Sequence, residues 1–477
     1  MLVSIGVAFL LTPYIIAVLG KAGYGIWVII TSLIGYYGLL NLGITSAVSR
    51  FAALYIGNKD LEALNTVFST AFVVFLLIAL VIVGLSWIVG PYLPYIFDSD
   101  YNDSLPFLVL VVGCSVALSF PTAILISLFV AHERYVQQSS LSILMGLLRA
   151  LLTVFFLERG YGLEGMAYAF LITAVFEFIA YSAVVWFYLP WVRPNGRLVK
   201  FNMLIQMLTF GLPTLVITVS GLMRTNLDSV VIGGMVGIEE VAVYSVAALL
   251  IRYVFSIANS GLGIFTPRFA RLVGEEQDVK PLFFSSLYFA SLIAATAGGG
   301  VLFFGERFIN LWLGDGFEDA IPILFILVSC YVITIAQIPG LTLLMALNKH
   351  KAFAAITFVE GIANVVLSVL LAPAYGIVGV ALGTAIPMLV VKILIQPFLV
   401  SKLAEVSLLD YLKPMLIPIL LGMVLFAAPF AFNVSRFAEH FGWTELVLAS
   451  ASFAVVFVGA NFGAARALKP ALLKLKS

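Results

Sequence analysis

The chain has 477 residues, of which 62% are hydrophobic and 10% charged, with a formal net charge of +1. A soluble globular chain carries roughly a quarter of its residues as charges, so this composition excludes a water-facing exterior and places most of the surface in lipid. The near-neutral balance gives no electrostatic footprint for nucleic acid, and two cysteines in apolar stretches, Cys114 and Cys330, exclude a disulfide framework.

Taken in chain order, the apolar runs predict helices near 2–19, 24–46, 66–90, 105–130, 139–157, 163–188, 204–234 and 241–265. A second set follows near 282–305, 320–346, 352–372, 376–399, 411–432 and 442–464. Each is close to the roughly 20 residues that cross a hydrocarbon core. The expectation is an all-α polytopic membrane protein with fourteen transmembrane helices. The first stretch lacks the basic flank and small-residue cleavage site of a signal peptide, so it reads as a membrane helix. It also lacks the Lys or Arg usual before a first span, which points to a start upstream of Met1. The connecting loops are too short for a soluble catalytic domain.

Lys and Arg in short loops set orientation. With the amino terminus inside, the inner loops hold Arg50, Lys59, Arg134, Arg193, Arg197, Lys200, Arg268, Arg271, Lys280, Lys349, Lys351, Lys402 and Lys413. The tail adds Arg466, Lys469, Lys474 and Lys476, while the outer connections hold only Lys21, Arg159, Arg307 and Arg436. Both termini are therefore expected in the cytoplasm.

The chain also repeats itself. Arg50-Phe51-Ala52 and Asp60 return 218 residues later as Arg268-Phe269-Ala270 and Asp278. Asp103, Pro106 and Cys114 return as Asp319, Pro322 and Cys330, and Pro121 and His132 as Pro339 and His350. Tyr161-Gly162-x-x-Gly165 returns as Tyr375-Gly376-x-x-Gly379. A unit of six helices, an even number, keeps the same topology in both copies, so the lobes are parallel repeats. The expected lobes are 1–190 and 204–400, with helices 13 and 14 appended over 411–466.

The segments Leu11-Thr12-Pro13-Tyr14, Leu19-Gly20-Lys21-Ala22-Gly23-Tyr24-Gly25-Ile26-Trp27, Leu40-Asn41-Leu42-Gly43-Ile44 and Gly57-Asn58-Lys59-Asp60 form a recognisable pattern. With Arg50-Phe51-Ala52 and Tyr375-Gly376-Ile377-Val378-Gly379-Val380-Ala381, the chain resembles the polysaccharide-transport branch, which includes Wzx-type flippases, of the multidrug/oligosaccharidyl-lipid/polysaccharide exporter superfamily. The resemblance implies a MATE-like pair of bundles working by alternating access around a central, often basic, cavity. It implies an undecaprenyl-diphosphate-linked oligosaccharide as substrate, membrane lipid as surroundings, and contacts with other polysaccharide-assembly proteins. It implies no cofactor, and a bacterial cytoplasmic membrane location. The missing basic extension before the first helix is a departure from the family.

Charges near the bilayer centre are costly and face the protein interior. Eight fall inside predicted spans: Arg149, Glu164, Glu177, Arg224, Asp228, Arg252, Glu360 and Lys392. Glu164 reads as interfacial. Arg149 with Glu177, and Glu360 with Lys392, share depths on adjacent helices and are expected as structural ion pairs or as coupling carboxylates with their partners. Arg224 and Asp228 are four apart on one helix face. Arg252 has no acid along its helix, and a guanidinium fork suits phosphate oxygens. It is the expected substrate contact, supported by Arg224 and by Arg50 and Arg268 at matching inner helix ends.

Three readings compete. A flippase for a lipid-linked oligosaccharide needs this cationic lumen. A multidrug cation antiporter of the same superfamily needs acids, and the first helix offers only Ser4, Thr12 and Tyr14 as polar groups. A membrane-embedded polysaccharide polymerase or transferase needs a catalytic constellation, and neither one nor a metal-ligand spacing is present, so the chain is not expected to be an enzyme.

Overall fold

The computed structural model describes residues 2–97, 99–349, 351–431 and 440–474. Among the described residues every regular element is a helix. Hydrocarbon offers no water to backbone N–H and C=O groups, so long apolar segments satisfy them internally. The α-helices are α1 (Leu2–Gly35), α2 (Ile44–Gly57), α3 (Leu61–Val89), α4 (Leu105–Ala131), α5 (Tyr135–Glu158), α6 (Gly162–Tyr188), α7 (Phe201–Met235) and α8 (Ile238–Leu262). They continue as α9 (Phe265–Gly274), α10 (Lys280–Leu313), α11 (Ala320–Ala336), α12 (Ile338–Ala346), α13 (Lys351–Val390), α14 (Gln396–Leu403), α15 (Leu408–Ala431) and α16 (Trp443–Lys474).

Ten stretches among the described residues are long and apolar enough to cross a membrane. Two of them, Val3–Asn41 and Ala352–Leu403, each hold two spans, divided by non-helical turns at Gly20 and Gly376. With α7 and α15 the spans number fourteen, as the apolar runs predict.

The sequence repeat has a backbone counterpart. Gly162 and Gly376 both take positive φ, +53° and +57°, where an L side chain is strained. Lys59 and Glu276 (+56° and +54°), and Glu133 and Asn348 (+57° and +56°), form a second and a third matching pair. Equivalent helices end in the same left-handed turn, which is what duplicated helix–turn units require.

The chain packs as two compact units, Met1–Ala242 and Val243–Ser477. In the first, α4 is central, packed on α2, α3 and α6, while α5 pairs with α6. Helix α7, which the repeat groups with the second lobe, packs along α1, α2 and α3 and so belongs to the first unit. That approach needs glycine: a Cβ on Gly43 (φ +73°) would collide with the Gly211 backbone of α7. In the second unit α10 is central, packed on α11, α12, α15 and α16. Its core joins Phe269, Phe283, Leu287, Leu343, Val400 and Tyr411.

Candidate functional site

Each unit holds intramembrane charge on a helical hairpin, and hairpin register decides what each charge meets. In the first unit the Tyr181 hydroxyl donates to the Gln138 carbonyl (3.2 Å), which sets Gln138 opposite Tyr181. The same register puts Arg149 opposite Phe170, and its guanidinium lies 4.5 Å from that ring. Trp27 also meets Phe170, in a T-shaped contact with ring centroids 4.9 Å apart. Glu177 is seven residues further along α6, roughly 10 Å at 1.5 Å per residue. The two charges interact electrostatically, but among the described residues no ion pair within 4 Å forms between them. The Arg149 Nε is buried without a hydrogen-bond acceptor.

In the second unit α13 folds back at Gly376. Asn364 donates to Thr384 Oγ1 (2.7 Å) and Ser368 to the Val380 carbonyl (3.4 Å). This antiparallel register sets Glu360 opposite Met388, one turn from Lys392. Both charged side chains are buried, at 3% and 4% exposure. Lys392 lies in a π-helical turn, Val391–Ile395, and such a turn disturbs the i→i+4 ladder. The Gln337 side chain donates to the Lys392 carbonyl. Lys392 Nζ donates to Gln396 Oε1 (2.8 Å), Gln396 Nε2 to the Gln337 carbonyl (3.3 Å), and the Tyr411 hydroxyl to Gln337 Oε1 (3.2 Å). The ammonium also sits 5.0 Å from the Phe353 ring.

This amide-bound lysine edges a cavity of about 540 Å³ inside the second unit. Its walls are apolar: Gly298 and Gly299 of α10, Val332 of α11, and Leu412, Met415 and Ile419 of α15.

The other cations singled out in the sequence are placed as follows. Arg50, exposed on α2, rests 4.5 Å from the Phe210 ring of α7. Arg268 is exposed on α9, where its neighbour Arg271 pairs with Glu275 at 2.8 Å. Arg252 is exposed in the middle of α8 while the adjoining Ile251 is buried. Among the described residues no carboxylate lies within 4 Å of Arg50, Arg252 or Arg268. Asp228 is buried on α7, and the side chain of Arg224 lies outside the described residues. Among the described residues no group of His, Cys, Asp and Glu could hold a metal ion.

A family model described as "polysaccharide biosynthesis protein" matches residues 17–322. The chain belongs to this polysaccharide biosynthesis family. It is 24% identical over 473 residues to the uncharacterized membrane protein EpsK of Bacillus subtilis (strain 168), covering 94% of this chain and 89% of that one. It is 23% identical over 190 residues to the probable low-salt glycan biosynthesis flippase Agl15 of Haloferax volcanii, covering 39% and 40%. Among solved structures, the lipid II flippase MurJ in an inward closed conformation superposes with a TM-score of 0.76 at 14% identity, covering 98% of each chain. The fold and the multi-pass membrane character are thus those of this family and its structural neighbours.

The family match ends at residue 322, so the Gln337–Lys392–Gln396–Tyr411 network lies beyond it. Sequence reasoning missed this network and the cavity beside it. A signal was present: Gln337 and Gln396 are uncharged polar residues inside otherwise apolar runs, each close to a proline (Pro339, Pro397). Counting only charges passed over them.

Proposed function

We propose that this protein is a flippase that moves an undecaprenyl-diphosphate-linked oligosaccharide across the cytoplasmic membrane by alternating access, for cell-surface polysaccharide assembly. The observation that carries this reading is Arg252, exposed at the middle of a membrane-spanning helix. Hydrocarbon does not tolerate a bare guanidinium at that depth, so the exposed face of α8 lines water, and a fixed cation there suits a diphosphate. The Agl15 relative, named for glycan biosynthesis flipping, supports the same substrate class. Arg50, Arg268 and Arg224 are the further cations of this reading. The apolar cavity edged by Lys392 has the lining to receive part of the prenyl chain.

In this reading the termini are cytoplasmic and the repeats are 1–190 and 204–400, with 411–466 appended. Reporter fusions after Lys59 and Lys349 then read inside, and those after Asp103 and Asp319 outside. The deciding experiment is export of labelled glycan. Arg252→Ala abolishes it with insertion and melting temperature retained, and Arg252→Lys restores part, because a point charge lacks the bidentate fork. Normal export by Arg252→Ala would overturn the reading.

A further inference from the structure

The connector between α6 and α7, residues 189–200, contains Arg193, Arg197 and Lys200 and no acid. It is a built structure. Leu189 and Val192 are buried in the core of the first unit. Asn65 near the start of α3 accepts from the Arg193 N–H (2.9 Å) and donates to the Trp191 carbonyl (3.0 Å). Ser69 accepts from the Asn195 N–H (2.9 Å) and Thr70 from the Lys200 N–H (3.2 Å). Three side chains on two successive turns of α3 thus hold the connector backbone in place.

On this base, Trp186, Pro190, Arg193 and Pro194 line a pocket of about 390 Å³. Arg193 Nε donates to the Pro190 carbonyl (3.2 Å), which orients the guanidinium. Its two terminal amino groups take no acceptor among the described residues and remain as donors. Trp186 is 56% exposed at the last turns of α6, and Phe187 and Trp191 are exposed beside it. Exposed aromatic rings at a span end sit at headgroup level. Arg134 lies 4.1 Å from the Tyr188 ring, adding a second cation to this end of the unit.

We propose that this pocket binds the headgroup of an anionic glycerophospholipid. Arg193 takes the phosphodiester oxygens, Trp186 covers the glycerol, and Arg134, Arg197 and Lys200 supply the surrounding positive field. A connector without a single acid offers no carboxylate to the ammonium of a zwitterionic headgroup, while its cations favour the anionic lipid. Basic pockets beside membrane helices on the cytoplasmic side suit this ligand class, and the distribution of Lys and Arg puts this end there.

The test is native mass spectrometry of the full-length protein titrated with dioleoyl phosphatidylglycerol or dioleoyl phosphatidylethanolamine, a readout independent of transport. The wild type is expected to retain phosphatidylglycerol preferentially. Arg193→Gln should lower its retention about fivefold, the usual weight of one cation near an anionic surface. Trp186→Leu should lower it by a similar factor, and Arg271→Ala, an exposed arginine elsewhere in the chain, should not. A melting temperature equal to wild type identifies the folded variants, and Arg193→Ala serves if Arg193→Gln does not fold. Equal loss in Arg271→Ala, equal retention of both lipids, or no loss in either pocket variant overturns the proposal. Displacement of phosphatidylglycerol by excess inorganic phosphate also overturns it, by making the site one for free anions.

Discussion

The α5–α6 hairpin of the first unit and the α13 hairpin of the second descend from one repeated element, yet they treat a buried cation in opposite ways. Both turn at a glycine with positive φ, Gly162 and Gly376, and both set a cation on an aromatic face, Arg149 on Phe170 and Lys392 on Phe353. In the first, the cation is on the leading helix and the ring on the returning one. In the second the order is reversed. Arg149 is left with a buried Nε that lacks an acceptor, whereas Lys392 is tied by amide groups into a closed network at a π-helical turn. Duplication preserved the turn, which backbone sterics enforce, while the chemistry on the helices diverged. A cation held in a hydrogen-bonded network belongs to structure.

That contrast is best broken by removing each cation in turn. Lys392→Met leaves Gln396 Oε1 without its donor in a buried site, which should cost about 2–3 kcal/mol and lower both yield and melting temperature. Arg149→Met removes one cation–π contact of about 1 kcal/mol but also relieves an unsatisfied buried Nε, so its stability should stay near wild type. The measurement is the thermal midpoint of the purified variants in detergent. Equal destabilisation by the two substitutions sinks the comparison.

Charge exchange sharpens it at smaller scale. Arg149 with Glu177, which interact without an ion pair, and Glu360 with Lys392 should each show coupling when reversed. Arg149→Glu with Glu177→Arg should restore expression lost in the single variants, because electrostatics acts between these residues even across two turns of helix. Glu360→Lys with Lys392→Glu should restore less, since Gln396 Oε1, an acceptor, faces the position that a carboxylate would take. Double-mutant cycles on membrane expression give the coupling directly. Full recovery in the second pair, or none in the first, reverses the assignment.

The fourteen spans and the duplication were legible because both rest on short-range rules: apolar length, and glycine where φ must be positive. Tyr161-Gly162 and Tyr375-Gly376 announced their turns in sequence. What depends on register was not legible. Depth counting put Arg149 level with Glu177, but the interhelical bond from Tyr181 to Gln138 slides α6 so that Phe170 takes that level. Nor does hydropathy reveal a π-helical turn: Val391–Ile395 reads as ordinary span, and only the amide groups of Gln337 and Gln396 mark it. Helix α7 shows the same limit at larger scale, because repeat arithmetic gives no hint of the Gly43–Gly211 approach that packs it against α1, α2 and α3 in the first compact unit.

The smallest expected effect lies just past the end of α4, where His132 precedes Glu133, whose left-handed turn is matched by that of Asn348. The His132 Nδ1 is 3.0 Å from the Leu128 carbonyl. Burial, and secondarily the Arg134 charge, hold its pKa below the ordinary value, against the opposing pull of that carbonyl. The folded protein therefore binds this proton less readily than the unfolded chain, whose histidine titrates near 6.5. Stability is full above that value and declines as pH falls through it towards the lower folded pKa. The wild type should thus lose melting temperature between pH 7.5 and 5.5 by a margin that His132→Asn removes. The difference between wild type and variant isolates this site. An identical pH slope in the two proteins would show that the turn is indifferent to the charge of its histidine.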